Sequence, residues 1–168
     1  MKFAIREEWE NVMKALISIL AAQPFVQGMS SRHIELLAEN SMRAEFKTGE
    51  PILIAGGPAN RFYLILKGRV ELESPGANCE AVRIQTLGAG DVVGWSWLFP
   101  PYYWHFNAWA PVPTSAIFLY GTRLRELCDE NHDFGYELMK RVSEIVIKRL
   151  YSARRELVNL HNNLLPPV

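Results

Sequence analysis

The chain has 168 residues, 49% of them hydrophobic and 21% charged, with a formal net charge of zero. That length allows one domain with a real core plus an extra element, and the neutral balance gives no overall bias toward nucleic acid or anionic lipid. Charges at Lys2, Arg6, Glu7, Glu8 and Glu10 argue against a signal peptide, and no segment approaches the roughly 18 apolar residues of a membrane span, so a cytoplasmic location is expected. Cys79 and Cys128 lie far apart without metal-ligand spacing, which excludes an iron–sulfur cluster and points to free thiols.

Residues 4–21 read as an amphipathic helix, because Trp9, Val12, Met13, Leu16 and Leu20 recur three and four apart. Pro24 ends it, since the residue before a proline avoids helical angles. Ser30 or Ser31 can cap a second helix over 31–39, with Ile34, Leu37 and Ala38 inward. From Met42 the pattern changes to short β-type runs: 42–47, 51–55, 62–67, 69–73, 80–87, 91–94, 105–110 and 115–120. Lys67-Gly68 suits a tight hairpin and Pro75-Gly76 a type II turn. Short strands at such spacing indicate an all-β sandwich or barrel. After Tyr120 the chain is helical again. Thr122 can cap a short helix through Leu127, and Asp133 a long one over about 134–162. The organisation is thus residues 1–168 as one domain: helices over 1–40, a β-roll over 42–120 and helices over 121–164.

The long helix carries two signals. Val146, Leu150, Ala153, Leu157, Leu160 and Leu164 alternate steps of four and three, the seam that two helices bury against each other. A homodimer through this seam is the expectation, and packing on the chain's own barrel is the alternative. Lys140, Arg141, Lys148, Arg149, Arg154 and Arg155 outnumber Glu137, Glu144 and Glu156. A solvated face accounts for them more simply than a DNA-binding surface.

The densest stretch is Gly94–Ala110, GWSWLFPPYYWHFNAWA, with four of the five tryptophans and no formal charge. It is either an aromatic core under a loop or the lining of a pocket, because small-ligand sites are mostly apolar with a few placed polar groups.

The order of elements resembles the cyclic-nucleotide-binding domain of catabolite-activator (CRP/FNR) type regulators. The likeness runs through Pro24-Phe25, Gly28-Met29-Ser30, Gly49-Glu50-Pro51-Ile52 and Gly56. It continues in Phe62–Val70 (FYLILKGRV) and Leu87–Gly94 (LGAGDVVG). It implies a mainly β fold, an eight-stranded jelly roll with N-terminal helices and a long C-terminal dimerisation helix. It also implies a nucleotide cassette after Gly94, in which a glutamate holds the ribose and an arginine the cyclic phosphate. Here Trp95 stands in the glutamate's place and Trp104 in the arginine's, with Tyr103 there instead if the register slips by one.

No lysine or arginine lies between Arg83 and Arg123. A cyclic phosphate buried without a cation would cost several kcal/mol, and the dipole of a helix start recovers only about 0.3–2 kcal/mol. Arg61, Arg69 or Arg83 would have to reach in from another strand. Cyclic AMP binding is therefore expected to be weak or absent. The candidate ligand residues are Gly94, Trp95, Ser96, Trp97, Tyr103, Trp104, His105 and Asn107, which suit a neutral or aromatic small molecule stacked between rings. Trp95, Trp97 and Trp109 read more readily as core than as ligand contacts.

His105 alone is a weak basis for haem. His33, His105, His132 and His161 are scattered, which excludes a clustered metal site of cupin type. No nucleophile–base arrangement is visible, so no enzyme activity and no cofactor are expected. The resembling activators continue into a helix-turn-helix domain; if the chain is complete at Val168, specific DNA binding by that route is not expected. The expected function is a ligand-sensing regulatory module, its effector a cyclic nucleotide or an aromatic compound, signalling through the long helix. The alternatives are a degenerate dimeric scaffold, or a true cyclic-nucleotide receptor with a displaced phosphate-binding cation.

Overall fold

A computed structural model of the chain describes residues 2–75 and 81–164. Helices α1 (Lys2–Ala21) and α2 (Ser31–Glu39) precede eight strands: β1 (Ser41–Phe46), β2 (Pro51–Leu53), β3 (Arg61–Lys67), β4 (Val70–Pro75), β5 (Ala81–Leu87), β6 (Val92–Val93), β7 (Asn107–Trp109) and β8 (Thr114–Tyr120). Helices α3 (Gly121–Glu130) and α4 (His132–Leu164) follow. The strands form two antiparallel four-stranded sheets, ordered β1-β8-β3-β6 and β2-β7-β4-β5. This is the eight-stranded jelly roll with flanking helices.

Strand β3 explains how the layers meet. Phe62 and Leu64 enter a cluster with Leu20, Leu37, Leu124 and Phe134 of the helices. Tyr63 and Ile65 point the other way, into the roll with Leu53, Leu72, Val93 and Trp104. Side chains alternate along a strand, so a strand covered on both faces must read as the unbroken apolar run Phe62–Leu66. The roll interior is the second cluster, which includes Trp104.

Several boundaries differ from the sequence reading for local reasons. Lys67-Gly68 makes a turn but no hairpin, because β3 and β4 belong to different sheets. Gly68 has φ +94°, and a Cβ there would lie 2.5 Å from Thr114 Oγ1, so the sheet crossing requires glycine. The strand pair β4–β5 stays in register out to Pro75 and Ala81; Gly76 of the expected Pro75-Gly76 turn, Cys79 and Glu80 lie outside the described residues. The start of α2 agrees with that reading: of the two candidate serines Ser30 is the cap, its hydroxyl accepting from the His33 N–H at 3.2 Å. Thr122 sits inside α3, whose first residue follows an uncapped Tyr120. Asn131, not Asp133, caps α4: its Oδ1 accepts from the Phe134 N–H at 3.1 Å. Among the α1 residues whose burial is described, Leu16 and Leu20 are buried, while Trp9 and Val12 are exposed, so the described part of the apolar stripe beds down toward its C-terminal end.

Candidate functional site

The cassette begins where β6 ends. Gly94 takes φ +88° and turns the chain into a one-turn helix, Trp95–Leu98. The Trp104 indole lies over that turn: a Cβ at Gly94 would stand 3.1 Å from Trp104 Cη2 and Cζ3, and 3.0 Å from the Arg61 carbonyl. The other end of the indole reaches Gly57, where a Cβ would stand 3.4 Å from Trp104 Cδ1. Backbone bonds hold it there, Trp104 N–H to Gly57 O at 2.9 Å and Gly56 N–H to Trp104 O at 2.8 Å. Trp104 is 7% exposed and belongs to the roll interior. It leaves a cavity of only about 20 Å³ beside Gly94, Ser96 and His105, room for about one water.

The other candidate residues separate. Trp95 is half-buried and meets Phe99 edge-on at 6.3 Å. Ser96 is buried at the small cavity. Trp97 is not a pocket residue at all. It is fully buried on the helix side, 5.9 Å from Phe62 between ring centres, and a Cβ at Gly121 would stand 2.8 Å from its own. Tyr103 is exposed and bridges to Pro58. His105 is exposed at the cavity rim. Asn107 is structural, its Oδ1 accepting from the Ala55 N–H at 2.8 Å. Among the described residues no group of three or more His, Cys, Asp or Glu could hold a metal, and no helix is long and apolar enough to cross a membrane.

Arg61, Arg69 and Arg83 do not line this cavity. All three are exposed; Arg61 lies over the Phe118 ring and Arg83 pairs with Glu71 at 3.2 Å. The cation that does line it is Arg149 of α4. Its Nη2 donates to the carbonyl of Val92, just before the cassette. Burial pushes its pKa down to about 10, against a raising influence from Asp91. Arg141 is buried too, paired with Glu137 and donating to the Gln27 carbonyl at 2.8 Å. The basic residues of α4 are therefore not a uniformly solvated face. The signal was present in phase: Leu138, Val142, Ile145 and Arg149 step four, three and four, so Arg149 occupies a core-facing position of the helix.

Beside Trp104 and the Trp95–Leu98 turn a groove of about 630 Å³ runs between the roll and α4. Leu72, Ile84, Trp95 and Phe106 form one wall, and Leu150 and Ala153 the other. Arg149, Arg155, Glu156 and Asn159 supply its polar groups. The α4 seam divides here. Val146 packs against the chain's own core, whereas Leu150, Leu157 and Leu160 are 64%, 66% and 58% exposed.

Comparison with known proteins agrees with this architecture. A putative cyclic nucleotide-binding protein from Geobacter metallireducens GS-15 is 29% identical, with 78% of this chain and 95% of that one covered at a TM-score of 0.71. A cyclic nucleotide-binding domain from Methylobacillus flagellatus KT shares the fold at 17% identity, 93% and 86% coverage and a TM-score of 0.74. The regulatory subunit of a cAMP-independent protein kinase A from Trypanosoma cruzi, bound to guanosine, does so at 22% identity and a TM-score of 0.68, with 94% of this chain but 53% of that one covered. No curated protein matches the chain. The family model of the cyclic nucleotide-binding domain matches residues 43–131, more than half of the sequence, and the chain belongs to the cyclic nucleotide-binding domain family.

Proposed function

We propose that this chain, working as one domain, is a non-enzymatic ligand-sensing regulatory module whose cassette does not accept a cyclic phosphate. One observation carries the reading: the Trp104 indole occupies the space over Gly94 and leaves about 20 Å³. A cyclic phosphate placed there would have to expel a buried ring, and no arginine stands at the matching loop position. The groove beside it has the volume and apolar lining of a small-molecule site. A ligand there touches both the roll and α4, so it favours one arrangement of the helix by its differential affinity for the two states. Guanosine, the ligand of the Trypanosoma cruzi subunit, has no phosphate, which is compatible with a ligand of this fold that needs no phosphate-binding cation.

Output through α4 fits a pairing of two copies along Leu150, Ala153, Leu157 and Leu160. A dimeric scaffold without any small ligand is the second reading, and the filled cassette favours it. Thermal unfolding with cyclic AMP, cyclic GMP and a set of aromatic compounds separates the two. A ligand at one hundred times its dissociation constant adds about 2.7 kcal/mol, a readable melting shift. A shift with an aromatic compound alone supports the sensor, and none with any compound supports the scaffold. A shift with micromolar cyclic AMP would overturn both.

A further inference from the structure

Arg149 stands out among the cations of the chain. Its hydrogen bond among the described residues goes to a backbone carbonyl, a neutral acceptor. The ion pairs found among the described residues involve Arg83, Arg123 and Arg141, and Arg149 is in none of them. Asp91 acts on it only as a nearby charge, and that influence is outweighed by burial. A guanidinium has five N–H donors in a planar fork, and the bond to Val92 leaves most of them free. Arg149 also borders the 630 Å³ groove, the small cassette cavity and a cleft of about 300 Å³ beside Asp91 and Lys148. A partly buried cation without a carboxylate partner, at the edge of an apolar groove, is electrostatically unfinished.

We propose that the groove between β4–β5, the Trp95–Leu98 turn and α4 binds a small aromatic carboxylate, its acid group forked on the Arg149 guanidinium and its ring laid against Trp95, Phe106 and Leu150. The inference rests on reading the groove as the ligand site and names the ligand's class. A carboxylate matches the guanidinium fork with two parallel hydrogen bonds. A cyclic phosphodiester needs more, because the Trp104 ring stands over Gly94 at the start of the cassette turn and leaves only about 20 Å³ there. Trp95 and Phe106 offer ring faces and edges for stacking. Bound this way, the ligand joins β6 and the cassette turn to α4 through the residue that already links them.

The test is calorimetric titration of the full chain with indole-3-acetate and 1-naphthylacetate, each beside its neutral amide, and with cyclic AMP. The acids should bind, the amides at least about tenfold more weakly, as expected when a charge-assisted pair is lost. Arg149→Gln should abolish the difference between acid and amide, and Arg149→Lys should keep part of it, which holds even if absolute affinities fall in a less stable variant. Equal binding of acid and amide to the wild-type chain would overturn the proposal. So would failure of both acids at millimolar concentration. If cyclic AMP also fails to bind, the closed cassette survives and only the carboxylate falls. Micromolar, Arg149-dependent binding of cyclic AMP would sink both.

Discussion

Replacing Trp104 by alanine removes the ring that closes the cassette, and the cost follows from its burial. The side chain is 7% exposed, and an indole buries about 200 Å², which at about 25 cal/mol per Å² is about 5 kcal/mol. The observed span for such truncations is about 3–5 kcal/mol. The strap to Gly56 and Gly57 is made by backbone atoms and survives the change, so the hole should persist rather than collapse. Urea unfolding of Trp104→Ala should therefore show an unfolding free energy lowered by that amount, read as a lower midpoint at an unchanged slope. Added indole should restore part of the loss in the variant, and stabilise it by more than any gain the wild type shows through its groove, by the ordinary linkage between binding and stability. A loss below about 1 kcal/mol together with no rescue by indole would refute the placement of Trp104 inside the roll.

Gly94→Ala should lose about 1–2 kcal/mol from its φ of +88° alone, and more from crowding Arg61 O and the Trp104 ring; urea unfolding checks this, and a neutral substitution would contradict the close approach. Cys128 has its thiol pushed up to about 11 by burial and by the charge of Asp129. In a Cys79→Ser background, alkylation by iodoacetamide should rise with a midpoint near that value rather than the ordinary 9.0. Because this pKa is raised on folding, the associated stability is full below 9.0 and is lost as pH climbs toward 11. Leu157→Glu places a charge on the exposed α4 stripe and should convert a dimer to a monomer in sedimentation, with an unchanged mass refuting the seam.

The fold could be read from the sequence because its signals are local. The glycine-punctuated runs, the unbroken apolar strand Phe62–Leu66 and the stripe of α4 each specify an element without long-range information. The start of α2 was legible, whereas those of α3 and α4 were misplaced by a residue or two, because Thr122 and Asp133 stand close to Tyr120 and Asn131 and only geometry tells which residue precedes the first turn. The site was harder. Trp95, Trp97, Trp104 and Trp109 are alike in composition, yet Trp97 faces the helices and Trp104 the roll interior. A coil segment has no periodicity to assign those faces. The cation was missed for a different reason. Arg149 lies outside the loop that holds the cassette, and counting charges along α4 hid that Arg141 and Arg149 fall on its inward face.

Isotope-labelled protein titrated with cyclic AMP reads the central claim at the residues that carry it. With the cassette closed by Trp104, the backbone amide signals of Gly94, Trp95 and Ser96 and the indole signal of Trp104 should stay in place up to millimolar nucleotide. Shifts of those signals that saturate in the micromolar range would contradict the account, since they would mean that the ring moves aside and that the cassette is a working cyclic-nucleotide site.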